Sequence, residues 1–225
     1  MVDRFRKSML RVRVFHKDVL LEQIERDNYY EFGTFVDSDF IITRNEKEGK
    51  SAILELECLG NVKDPNSEEK IPYKIMKQIT VEDNKITILL RGSLIKITGK
   101  KHTYKKIFDQ LYFGVDFPFF FNGDPNKFSW ESNQIVYDKK SNLLATFEYV
   151  GRHFKAIDGS YDFHFECEII NNSKSDLETM TIGRFPIIAY AYTDEGYQKI
   201  YQGINLIPRF QMAENFEYKI KLKLY

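Results

Sequence analysis

The chain reads as all-β: a large antiparallel two-sheet sandwich with at most one or two short helices. Three observations predict it. Apolar and polar residues alternate at period two from end to end, and clusters of Gly, Pro, Asn, Asp and Ser separate the alternating segments. Aromatic residues make up 15% of the chain, with 19 Phe, 14 Tyr and one Trp, a content that suits the flat, half-buried surfaces of sheets.

The elements follow in order. "KDVLLEQIERDNYYEF" carries Val19, Leu20 and Ile24 at helical spacing, with Asp27-Asn28 as a stop, and predicts a helix of two or three turns. In "SAILELECLG", Ala52, Leu54, Leu56 and Cys58 point one way while Ile53, Glu55 and Glu57 point the other. The polar stretch from Asp64 to Lys70 is a long hairpin loop. "NKITILLRGSLIKITGK" reads as two strands divided at Gly92-Ser93. Phe117, Phe119 and Phe121 alternate as core residues, and "YDFHFECEII" sets Tyr161, Phe163, Phe165, Cys167 and Ile169 on one face, with Asp162, His164, Glu166 and Glu168 on the other. "YTDEGYQKIYQG" is a hairpin with an acidic glycine turn at Asp194-Glu195-Gly196. In the last strand Tyr218, Ile220, Leu222 and Leu224 alternate with Lys219, Lys221 and Lys223.

No strand is followed by a 10–15 residue amphipathic helix in repeating alternation, which excludes a (β/α) barrel and a doubly wound sheet. With no linker composition in the chain, residues 1–225 read as one domain.

Composition narrows the function. Lys and Arg number 33 and so do Asp and Glu, so the global charge recruits neither nucleic acid nor an anionic membrane. No apolar run reaches the length of a membrane span and the N-terminus has no apolar signal core, so the expected location is the cytoplasm. Cys58 and Cys167, far apart and each inside an alternating segment, predict two buried thiols. His16, His102, His153 and His164 are scattered without metal-ligand spacing, and nucleophile elbows and phosphate-binding glycine loops are absent. No metal, cofactor or catalytic residue is therefore assigned. What remains is a set of rings beside amide and carboxylate groups, the chemistry that stacks on sugar faces and takes their hydroxyls. "FPFFFNGDPNKFSW" offers Trp130 beside Asn122, Asp124 and Asn126, and the hairpin offers Tyr197 and Tyr201 beside Asp194, Glu195 and Gln202.

The stretch from Arg184 to Phe210 resembles the end of the β-sandwich domain that follows the catalytic barrel in glycoside hydrolase family 57, a family of 4-α-glucanotransferases and α-amylase-like enzymes. The resemblance rests on Phe185, Pro186, Ile187, Glu195, Gly196, Tyr197, Tyr201, Gln202, Gly203 and Pro208. It extends to Gly33, Phe35 and Val36, which are similar to the family's Gly-x-Phe-Val strand, and to Phe113, Gly114, Val115 and Asp116. "DRFRKSML" looks like the seam that joins the domain to its barrel, with Arg11-Val12-Arg13 standing where Asp-His often follows.

The resemblance implies a galactose-mutarotase-like sandwich, and an α-glucan or oligosaccharide together with a catalytic barrel domain or chain as partners. Because the family's catalytic carboxylates lie in the barrel, this chain alone is expected to be non-catalytic, binding glucan through Trp130, Glu195, Tyr197, Tyr201 and Gln202. Two alternatives stand beside it. One is an aldose-1-epimerase-like enzyme, with His164 or His153 as acid and Glu166 or Glu195 as base; the other is a purely structural domain for a partner barrel.

Overall fold

Two antiparallel sheets are built from fifteen strands in the computed structural model, which describes residues 10–95, 104–120, 128–132, 135–137, 146–159, 163–171 and 181–224. The first sheet contains β1 (Val12–His16), β6 (Leu111–Val115), β14 (Gly196–Gln211), β13 (Thr181–Thr193) and β10 (Phe147–Val150) in that order, with β7 (Phe117–Phe120) also paired to β14. The second runs β2 (Ile41–Glu48), β3 (Ser51–Lys63), β4 (Lys70–Glu82), β5 (Lys85–Leu94), β15 (Asn215–Leu224), β12 (Phe163–Asn171), β11 (His153–Asp158), β8 (Phe128–Ser132) and β9 (Ile135–Tyr137). The expected sandwich of large antiparallel sheets is the observed architecture.

The period-two pattern explains which faces meet. Val12, Val14, Phe113, Val115, Leu206 and Phe210 from the six-stranded sheet interlock with Ile71, Tyr73, Ile75, Ile88, Ile169, Ile220 and Leu222 from the nine-stranded sheet in one buried cluster. Phe210 and Tyr218 stack across the layers with centroids 3.9 Å apart, and Phe216 lies 4.7 Å from Phe113. Cys58 and Cys167 are both buried in this layer and form no disulfide, and burial pushes the Cys167 thiol up to about 12.

Three local expectations change. The break expected at Gly92-Ser93 is not there: β5 runs through both residues to Leu94, with residues 96–100 of the segment outside the described residues, and Gly92 is what lets the strand run on. Opposite it on β15 sits Phe216, and a Cβ at Gly92 would lie 2.2 Å from that ring, so the missing side chain makes room for an aromatic of the core rather than for a turn. The expected two- to three-turn helix is only α1 (Leu21–Glu25), where Gln23 accepts the Leu20 N–H at 2.8 Å. Leu20 is exposed, and only Leu21 and Ile24 are buried, so one turn suffices to cover what lies beneath. The family-like segment at Gly33 and Phe35 is not a strand either. It makes one isolated bridge, Gly33 to Val62, and buries Phe35. A second short helix, α2 (Lys105–Phe108), buries Phe108 against Tyr73.

Helix α1 matters because it creates a third layer. Leu21 and Ile24 close over Phe15, Phe185, Ile187 and Ile207 on the outer face of the six-stranded sheet. The approach is close at Gly183, where a Cβ would lie 2.4 Å from the Leu21 side chain and 2.9 Å from Ile207. This small outer core holds the segment after the helix against the same sheet face, and that segment carries most of the charged cluster described below. On β4, by contrast, Lys77 is buried on the inner side with its ammonium 3.3 Å from the Phe40 ring centroid, and burial lowers its pKa to about 7.

Candidate functional site

The sequence-derived sugar-binding residues fall in two places. Trp130 lies on β8 of the nine-stranded sheet, opposite Ala156 and Tyr137, whereas Glu195, Tyr197, Tyr201 and Gln202 belong to the β13–β14 hairpin of the other sheet. The rings of Trp130 and Tyr201 are outside the described side chains, as are residues Phe121, Asn122, Asp124, Asn126 and Asp162 altogether. At the hairpin tip the expected turn is present: β13 ends at Thr193, β14 begins at Gly196, and Gly196 takes φ of 101°, which favours glycine. Tyr192 and Tyr197 face each other across the tip, 80% and 74% exposed, with centroids 5.6 Å apart in an edge-on arrangement. Gln198 donates to Glu195 at 2.9 Å beside them. Lower on the hairpin Ile187 pairs with Gly203 but Ile188 pairs with Tyr201, so Gln202 is the additional residue of a β-bulge. Its side-chain oxygen is buried and accepts no hydrogen bond among the described residues.

A second site lies away from the residues expected to bind sugar. Arg13 and Phe15 of β1 both project from the outer face of the six-stranded sheet, and Arg13, Gly114 and Arg209 share one cross-strand row. Phe15 is covered by α1; Arg13 is covered by the segment after it and is 1% exposed. Its Nε donates to Asp116 Oδ2 at 2.7 Å, and its Nη1 donates to Asp27 Oδ1 at 2.6 Å and to the Tyr29 hydroxyl at 2.7 Å. Asp116, fully buried, accepts on its other oxygen from Asn205 Nδ2 at 2.9 Å. Tyr29 donates to Glu31 Oε2 at 3.0 Å, and Glu31 Oε1 accepts the backbone N–H groups of Val14 (2.6 Å) and Gly33 (3.1 Å). Asp27 is held in left-handed backbone, φ 49°, a conformation that Asp tolerates better than most residues.

Electrostatics follow from that burial. Desolvation works against the Arg13 charge, but Asp116, Tyr29 and Asp27 outweigh it and hold the guanidinium more firmly protonated than in water. Burial also raises the Tyr29 phenol, with the Glu31 charge adding to it. Glu31 is raised to about 7, because burial outweighs its two backbone donors, the tyrosine and Arg13. Beside this network opens a cleft of about 430 Å³, lined by Arg11, Arg13, Asp27, Tyr29, Glu31 and Asp37 among others. The resemblance had pointed to Asp116 and to Arg13 as positions in the chain, but neither was assigned a role in binding.

A third site, a concavity of about 550 Å³, lies on the outer face of the nine-stranded sheet and bears on the epimerase alternative. His153 stands opposite Glu168, Glu166 opposite Lys223, and His153, Glu166, Glu168 and Lys221 line it together. His164 pairs with Ile157 on the same sheet, while Glu195 lies on the hairpin of the other sheet, so the histidines and Glu195 are not neighbours.

Fold and comparisons now meet. The architecture is the galactose-mutarotase-like sandwich: the chain is similar to a galactose mutarotase-like protein from Clostridium acetobutylicum (TM-score 0.52, 9% identity, 96% of this chain and 78% of that one). It is similar also to a putative aldose 1-epimerase from Escherichia coli K12 (TM-score 0.50, 10% identity, 88% and 72%). At these identities the likeness concerns the fold alone. The family model described as "Alpha-amylase/4-alpha-glucanotransferase, C-terminal" matches residues 1–224, and the chain belongs to that family. A solved 4-alpha-glucanotransferase from Thermococcus litoralis is similar over 96% of this chain (TM-score 0.65, 18% identity), and the chain spans 27% of that protein's length. A sequence search of curated proteins gives no match. Among the described residues no helix is long and apolar enough to cross a membrane.

Proposed function

We propose that residues 1–225 act as one non-catalytic accessory domain of a family 57 α-amylase or 4-α-glucanotransferase-type enzyme, working beside a catalytic barrel and holding α-glucan chains at the β13–β14 hairpin. The observation that carries the glucan reading is the exposed pair Tyr192 and Tyr197. Two large rings at a hairpin tip gain nothing from the core, yet present flat apolar faces with Glu195 and Gln198 alongside to take hydroxyls. Tyr201 and Gln202 continue the same strand toward the bulge, and Trp130 belongs to a strand of the other sheet.

Electrophoresis through gels containing amylose or glycogen tests the reading. Retardation of the wild type, reduced in Tyr197→Ala, is expected; migration equal to that in plain gel for both would overturn it. The epimerase alternative keeps one supporting observation, the shared concavity of His153 and Glu166. Polarimetry on freshly dissolved α-glucose or α-galactose reads it directly, and a rate equal to that of buffer removes it. A purely structural role would show as co-purification with a catalytic chain and no retardation in either polysaccharide gel.

A further inference from the structure

The last strand sets the charge on the outer face of the nine-stranded sheet. The alternation that buries Tyr218, Ile220 and Leu222 on β15 puts Lys219, Lys221 and Lys223 in a column on the opposite face. The neighbouring strands do not balance that column. β5 places Leu89, Thr87 and Lys85 beside the three lysines and brings no carboxylate, while β12 places Ile170, Glu168 and Glu166 there, so four ammonium groups meet two carboxylates across these three strands.

The imbalance is sharpest in the row through Lys85 and Lys223, two like charges directly opposite each other. Glu82 of β4 lies on the far side of Lys85 but accepts from Ser51 Oγ at 3.3 Å, and Lys85 forms no ion pair among the described residues. On the far side of Lys223, Glu166 stands between that lysine and Lys155 of β11. One row away Glu168 accepts from Lys221 at 3.1 Å and stands between it and His153. The concavity of about 550 Å³ opens over these two rows, within the usual range for small-molecule sites. Lys85, His153, Glu168 and Lys221 are all exposed, so their polar ends are open to a molecule lying in it.

We propose that this concavity binds a monosaccharide phosphate, with the phosphate between Lys85 and Lys223 and the sugar hydroxyls toward Glu166, Glu168 and His153. A phosphate group carries about −1.5 to −2 charges near neutrality, which matches two ammonium groups and relieves their repulsion. The carboxylates and the imidazole then serve hydroxyls as acceptors and donors, a part of the site that an inorganic anion would leave unused. From β5 to β11 there are three strand spacings of about 4.8 Å, room for a phosphate and one hexose ring side by side. A neutral sugar would leave the opposed lysines uncompensated. The site lies on the other sheet from the hairpin and does not rest on the glucan reading; it requires binding alone, so it is equally independent of any epimerase activity.

The test is calorimetric titration of the whole chain, at one ionic strength, with D-glucose 6-phosphate, D-glucose and inorganic phosphate. Glucose 6-phosphate is expected to bind at least tenfold more tightly than either of the others, and to weaken at least tenfold in Lys85→Gln and in Lys223→Gln. Both variants are first checked for wild-type thermal melting; if Lys223→Gln melts early, Lys85→Gln, which removes an exposed side chain without an ion pair, decides alone. No heat with glucose 6-phosphate up to tens of millimolar would overturn the proposal. So would affinity unchanged in the properly folded variants, or glucose or inorganic phosphate binding as tightly as glucose 6-phosphate. Retention in amylose gels is read separately, so a dead concavity with a live hairpin, or the reverse, is distinguishable.

Discussion

The hairpin tip and the Arg13 cluster belong to the same six-stranded sheet, yet they treat polar chemistry in opposite ways. At the tip, Tyr192, Tyr197 and Glu195 stand in water and owe nothing to the fold except the turn at Gly196. In the cluster, Arg13 and Asp116 are stripped of water and each is held from several directions by residues distant in sequence. The difference teaches which of the two can change freely. An exposed ring can be removed without disturbing the sandwich, whereas a buried charge exists only as part of its network.

The largest expected effect comes from breaking that network. Asp116→Ala leaves the Arg13 guanidinium and Asn205 without their shared acceptor inside the protein, and should cost about 3–5 kcal/mol in urea unfolding. A loss near zero would mean that the cluster is wetter than its burial indicates. Next comes pH. The folded-state pKa of Glu31, about 7, lies above its ordinary value of 4.5, so the folded protein binds the extra proton between those values. Its contribution is full below about 4.5 and is lost as pH rises through 7, with a slope of at most about 1.4 kcal/mol per pH unit. Glu31→Gln should flatten that stretch of the stability–pH curve, measured by urea titrations from pH 4 to 8. Lys77 gives the opposite sign: its lowered pKa makes stability rise as pH climbs from about 7 toward 10.5, and Lys77→Met should abolish the rise.

Smaller effects sharpen the contrast. Gly183→Ala crowds α1 against its sheet and should destabilise by about 1–3 kcal/mol, unless Leu21 swings aside. Tyr197→Ala, at the tip, should change stability by less than about 0.5 kcal/mol while reducing retention in amylose gels. A large stability loss there would show that the tip is structural after all.

The same contrast explains what could be read from the sequence. Alternation in the C-terminal strand gave faces that match the observed layers, and the turn chemistry of Asp194-Glu195-Gly196 located the hairpin, because both signals are local; in "SAILELECLG" only Cys58 of the expected core face is buried, with Leu54 and Leu56 half-buried and Ala52 exposed. The Arg13 cluster is not local. In "RVRVF", Arg13 looks like the wet side of a half-buried strand; only the cover supplied by α1 and the segment after it makes that side dry, and its partner Asp116 is 103 residues away. Gly92 was misleading for a related reason, since a glycine that ends one strand and a glycine that admits Phe216 look alike until the opposite strand is known.

The bulge at Gln202 has a consequence for how the hairpin's two ends are numbered against each other. Along β14, Asn205, Ile207 and Arg209 lie on the outer face, so odd positions face outward there. One inserted residue reverses the parity: Tyr197, also odd, stands opposite even-numbered Tyr192, on the strand face that carries Leu206 and Ile204 lower down. The tip is therefore out of phase with the body of its own strand. Deleting Gln202 would remove the bulge and leave the pairs on either side of it unchanged, Tyr197 with Tyr192 at the tip and Ile204 with Pro186 below. The strand thus absorbs one extra residue at a single point, and the pairing of the exposed tip and of the core segment beneath it both stay in step with β13.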